Sequence, residues 1–130
     1  MNTNDKEANL LNIQLWTTII YIGSLFISIA LTYDDKQKIQ NKNGLFSKKQ
    51  SSKLSIFNRS LVLLLTLSYL YISYNNVDLA KQKNQEIWPF NLQLFSSELS
   101  TLAAIIVLYV VLKTSGEQYS IVAGIGNPNL

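Results

Sequence analysis

Glu98 is the side chain best placed to do chemistry in this 130-residue sequence, because it borders the uncharged run 99–112. An ionisable group inside an apolar helix is rare unless it meets a partner, water or a transported ion. A carboxyl there could relay a proton or anchor a neighbouring helix. By depth its possible partners are Asn12, Gln14 and Thr17 of an earlier apolar run and Tyr74, Asn75 and Asn76 of a second. The plainer alternative puts Glu98 at the membrane edge, in reach of water.

Few other chemistries are open. The chain has no cysteine and no histidine, which removes disulfide scaffolds, thiol nucleophiles, haem ligation by histidine and zinc sites built on those ligands. The charged stretch "DDKQKIQNKNGLFSKKQSSK", residues 34–53, holds six lysines and two aspartates. A calcium loop needs oxygen ligands at alternate positions, Gly at the sixth and Glu at the twelfth, and Lys36 and Lys38 break that pattern. A nucleic-acid module would want arginine and interleaved aromatics, whereas this stretch has a single Phe and a turn expected at Gly44. Tyr69, Tyr71 and Tyr74 fit an interfacial aromatic belt better than a ligand stripe. "GIGNPNL" at the end lacks the third glycine, strand and helix of a dinucleotide loop and is expected to be a flexible tail. The sequon "NRS" at Asn58 abuts the membrane on its more basic side and is attributed to chance.

The elements that carry these residues follow from how charge is distributed. Only 15% of residues are charged, and they leave uncharged runs at 8–33, 60–77 and 99–112. About 20 helical residues cross a hydrocarbon core of roughly 30 Å. The first run is long enough. The second reaches that length when residues 54–58 lead in and Arg59 snorkels to the interface. The third covers only about 21 Å as helix, so it must extend past Glu98 or Lys113; a start near Leu92 puts Glu98 roughly 9 Å inside the apolar layer. Trp88, Phe90 and Phe95 mark that boundary. A soluble three-helix bundle would need a polar face on each run, and "SLVLLLTLSYLY" and "LAAIIVLYVVL" have none. The first run also lacks a small-residue cleavage site, so it is expected to be kept as a span rather than removed as a signal peptide.

Basic residues near spans are retained on the cytoplasmic side. Lys36, Lys38, Lys42, Lys48, Lys49, Lys53 and Arg59 surround the first loop, against Lys81 and Lys83 in the second. The expectation is therefore an all-α integral membrane protein with three transmembrane helices, N-terminus out and C-terminus in. It divides into a polar tail at 1–9, spans at 10–33, 54–77 and 92–113, a basic cytoplasmic loop at 34–53, an external loop at 78–91 and a C-terminal tail at 114–130. Small residues four apart mark packing faces in lipid: Ser24 and Ser28 in span one, and Ser96, Ser100 and Ala104 in span three. With loops this short, no cofactor and no catalytic group, the expected role is a non-enzymatic accessory or interaction subunit of a membrane complex. Its partners would be the bilayer, with anionic lipids at the basic loop, and other membrane proteins or itself, but not nucleic acid. The alternatives are a small transporter or proton-conducting subunit using Glu98, and a membrane-permeabilising protein, since three spans with the N-terminus out resemble one holin arrangement.

Overall fold

The computed structural model describes residues 3–114, so the expected tail at 114–130 lies, from residue 115 on, outside the described residues. Three helices run through them: α1 Thr3–Ile39, α2 Lys48–Gln82 and α3 Trp88–Lys113. All three are long and apolar enough to cross a membrane by length and composition. At about 1.5 Å per residue, α1 and α2 measure roughly 50–55 Å and outrun a hydrocarbon core. Residues 3–9 of the expected polar tail and both charged flanks of the first loop are helical, and the connections shrink to residues 40–47 and 83–87.

Local chemistry stops and starts the helices. Past α1 and α2 the chain turns through Asn41 (φ 57°) and Asn84 (φ 56°), and asparagine is among the few L-residues that visit this left-handed region readily. The next amides close each end: Lys42 N–H donates to Gln37 O at 2.9 Å, and Gln85 N–H to Ala80 O at 2.9 Å. Ser47 starts α2 with a capping box, its hydroxyl accepting from Gln50 N–H while the Gln50 side chain accepts from Ser47 N–H. Pro89 sits in the first turn of α3, where its missing N–H has no helical acceptor to lose.

α2 packs against both α1 and α3, on adjoining faces, and no Cα atom of α1 comes within 8 Å of one in α3. Residues seven apart form the seams, the spacing of left-handed helix pairs. Leu10, Thr17, Ser24 and Leu31 of α1 are buried, as are Ser51, Asn58, Leu65, Ile72 and Leu79 of α2. At the end where α1 begins, Leu10, Ile72 and Leu79 form an apolar cluster with Ile13 and Tyr69. There Lys83 pairs with Glu7, and Thr3 donates to Gln82 Oε1 at 3.3 Å.

At mid-seam the contact is polar. Ser24 Oγ donates to Asn58 Oδ1 at 2.8 Å, and Asn58 Nδ2 donates to Ser28 Oγ at 2.9 Å. All three are buried, Asn58 to 3% exposure, so one amide bridges two turns of α1. Its burial also leaves no room for a glycan on the "NRS" sequon.

Asn58→Leu is expected to destabilise the α1–α2 pair by about 1 kcal/mol, in the range measured for hydrogen bonds between membrane helices. Ser60→Ala is the control, since Ser60 is exposed and donates only within its own helix, to Ile56 O. Reversible unfolding in bicelles checks this; equal unfolding free energies for the two variants would remove Asn58 as a seam determinant.

Candidate functional site

The polar side chains gather in three places, each set by how the helices meet. The first is the α2–α3 seam. Ser73 and Ser97 share a hydrogen bond at 2.8 Å. Thr101 Oγ1 lies 2.9 Å from Ser97 O and 3.4 Å from Thr66 O across the seam. Thr101, Ala104 and Val111 are buried. Seven residues before Thr66 and fourteen before Ser73, Arg59 lies on the same face of α2. It is 4% exposed, which corrects the expectation that it snorkels: its position on a helix seam, not on the lipid face, keeps it inside.

The expected packing residues divide. Ser24 and Ser28 lie in the α1–α2 seam and Ala104 in the α2–α3 seam. Ser96 and Ser100 are exposed. The line of contact passes through Ser97 and Thr101, one residue further on, which at 100° per residue turns Ser96 and Ser100 onto a flank of α3.

That flank borders the second place, a groove of about 450 Å³ between α1 and α3, floored by α2. Gln14 and Tyr21 come from α1, Tyr69 and Asn76 from α2, and Ser96 and Ser100 from α3. It exists because α1 and α3 use adjoining faces of α2 without closing on each other. It runs from near the middle of the bundle, at Tyr21, Val62 and Leu65, toward the end where α1 begins.

Glu98 does not line the groove. It is one residue past Ser97, on the opposite flank of α3 from Ser96, and is exposed. It makes no hydrogen bond or ion pair with its expected partners on α1, and no Cα atom of α1 comes within 8 Å of one in α3. Asn75 instead donates to Tyr71 O of its own helix, and Thr17 to Ile13 O. Glu98 makes no hydrogen bond or ion pair with any described residue. Its flank also carries the exposed Leu102, Ile105 and Tyr109. No group of three or more acidic, cysteine or histidine side chains able to hold a metal occurs among the described residues.

The third place is the basic loop, which is tied down. Asp34 is fully buried at the end of span one. Its carboxylate accepts from Phe46 N–H at 3.0 Å and pairs with Lys38 Nζ at 2.7 Å. Gly44 lies against it so closely that an added Cβ would overlap the carboxylate oxygen. Glycine is thus required at 44 for close approach rather than for the expected turn, which the chain makes at Asn41. Lys36, Lys42, Lys48, Lys49 and Lys53 remain exposed around this knot. Burial works to raise the Asp34 pKa. Hydrogen bonds from Lys38 and the Phe46 amide, the Lys38 charge and the Leu45 amide outweigh it and hold the pKa below the ordinary 3.8. Asp35 shifts the other way, raised first by its own burial and then by the Asp34 charge.

Sequence reasoning passed over Asn58 and Asp34. An amide within an apolar segment was the available signal for Asn58; for Asp34, a carboxylate next to a span end followed by a glycine ten residues on does not by itself specify a contact. The chain matches no known protein family, no curated protein and no solved structure. Its function has to be argued from these three places.

Because the Asp34 pKa is lowered on folding, its contribution to loop order is present above the unfolded value of 3.8 and is lost as pH falls through the lower folded value. Asp34→Asn and Gly44→Ala are both expected to raise the exchange rate of the Phe46 amide by roughly tenfold at neutral pH, the effect of losing about one charged hydrogen bond. Unchanged protection of that amide in either variant would show the knot to be dispensable.

Proposed function

We propose that the chain is a multi-pass integral membrane protein, N-terminus outside and C-terminus inside, acting as a non-enzymatic interaction subunit that docks on a membrane partner through the Glu98 flank of α3. The observation that carries this is Glu98 itself. If span three begins near Leu92, the carboxyl lies about 9 Å into the apolar layer, exposed among Leu102, Ile105 and Tyr109 and without a partner among the described residues. A carboxyl in that setting is costly until a neighbour supplies a cation or hydrogen-bond donor. A second transmembrane protein, or a second copy of this chain, can do both. The polar groove lies on the other flank of α3, so among the described residues no file of polar groups leads to Glu98; this favours docking over the proton-conducting alternative. The many exposed Leu, Ile and Phe side chains on all three helices are what contact with lipid and with partner helices requires. The basic loop, with six lysines and Arg59 nearby, supports placing it on the cytoplasmic side against anionic headgroups.

Tagged full-length protein purified in mild detergent tests the docking. Glu98→Leu is expected to lower recovery of the partner, or of a second tagged copy, by about tenfold or more, with α-helical content unchanged. Glu98→Gln retains binding if the partner donates a hydrogen bond and loses it if the partner is a cation. Equal recovery with wild type and both variants would sink this assignment.

Orientation is tested separately in this cysteine-free chain. A cysteine at exposed Asn43, which spares the Ser47 cap, is expected to resist an impermeant thiol reagent in intact cells, while one at exposed Gln85 reacts. The reverse pattern would mean the opposite orientation.

A further inference from the structure

The groove between α1 and α3 has features that the docking role does not use. The carboxamides of Gln14, Asn76 and Gln93 and the hydroxyls of Ser96 and Ser100 all line it, and none of these side chains hydrogen-bonds to any described residue. Gln14, Ser96 and Ser100 lie within the expected spans, where each unsatisfied amide or hydroxyl costs several kcal/mol, while Asn76 and Gln93 stand at the expected span edges above them. Lone serines can bond back to their own helix, as Ser60 and Ser68 do. Ser96 and Ser100 do not. The groove is thus a set of unused donors and acceptors gathered from all three helices, spread over about 10 Å along α3 from Gln93 to Ser100.

Its chemistry narrows the occupant. No charged side chain lines it, so there is no counter-charge for a phosphate, carboxylate or ammonium. Each carboxamide presents both donors and an acceptor, and each hydroxyl does both, which suits a ligand whose own groups also do both. Tyr21 and Tyr69 flank the space, and Val62, Leu65 and Ile72 give it an apolar floor, surfaces suited to the C–H face of a ring. At about 450 Å³ it falls within the span of small-molecule sites, about 300–1,000 Å³. Because α1 and α3 do not meet, it opens sideways, where an acyl chain can remain in the bilayer.

We propose that this groove binds an uncharged polyhydroxyl group, such as the sugar of a neutral glycolipid or a free sugar. The sugar hydroxyls pair with the Gln14, Asn76 and Gln93 amides and the Ser96 and Ser100 hydroxyls, at the level of the leaflet on the N-terminal side. This site is independent of the Glu98 contact, which lies on the other flank of α3.

The full chain, purified in an amine-oxide detergent free of sugar headgroups, would be placed in phosphatidylcholine nanodiscs with one added lipid at a time. Retention is read by native mass spectrometry. Monoglucosyl diacylglycerol is expected to be retained about tenfold over diacylglycerol and over phosphatidylglycerol, and Gln14→Leu/Gln93→Leu to abolish that preference, as expected on losing two hydrogen-bonded amides. Ser100→Ile, which fills the groove from one side, provides a second variant should the first fail to fold, with circular dichroism as the check. Displacement of the glycolipid by free glucose, or glucose binding alone, would identify the free sugar as the source and still support the site. Equal retention of all lipids, with no glucose binding, would overturn the proposal. So would a preference that survives both variants. Efficient disulfide formation between Gln93→Cys residues of two copies, without glycolipid preference, would also overturn it and assign the groove to self-association.

Discussion

The arrangement depends on the rule that a hydrogen-bonding group away from water must find a partner inside the protein. Asn58 is where that rule bears hardest. A carboxamide buried between two helices has two donors and an acceptor to satisfy, and it uses both sides of the group on α1, accepting from Ser24 and donating to Ser28. Because the two serines are one helical turn apart, the amide fixes both the rotation of α1 and its height along α2. Sliding α1 by a single residue would break both bonds. The seven-residue seams then follow in register in both directions, to the apolar cluster around Leu10 and Leu79 at one end and to the Asp34 knot at the other.

This rule inverts the pattern by which soluble helices are recognised. Thr17, Ser24, Ser28, Ser55 and Thr101 are buried, while Leu15, Trp16, Phe26 and Leu64 are exposed. The packed stripe is therefore not set off by hydrophobicity, because it alternates leucine and isoleucine with small and polar residues. The three apolar helices could be read from the sequence because their length and lack of charge follow directly from bilayer thickness. Which face of each packs was only half legible. Ser24 and Ser28 stood out by spacing, but in α3 the serines and threonines at 96, 97, 100 and 101 offer two parallel lines. Only the partner surface, with Ser73 opposite Ser97, distinguishes them.

The basic loop shows a different limit. Its charge raises an expectation about orientation, yet a lysine-rich segment gives no sign that it is ordered. The order comes from Asp34, whose carboxylate combines a backbone amide, a lysine and the bare backbone of Gly44. None of these is periodic, and each is ordinary on its own, so the contact emerges only when the turn at Asn41 brings residues 44–46 back over the end of α1. The consequence is that the exposed lysines sit on a fixed frame close to the end of span one, rather than on a free tether. Electrostatic attraction to headgroups falls off within a Debye length, so that closeness strengthens whatever lipid contact they make.

α3 joins these parts, because it has one packed face and two unlike flanks. Its packed face, Ser97 to Val111, is held by α2 alone, since α1 stays clear. One flank is therefore left facing a polar groove without charge, and the other carries a single carboxyl among leucine, isoleucine and tyrosine. Because α1 stays clear of α3, the groove amides are left without hydrogen-bond partners among the described residues. Glu98, turned away from that gap, is exposed and pairs with no described residue. Both chemistries thus derive from one geometric fact, that α2 supports its two neighbours separately.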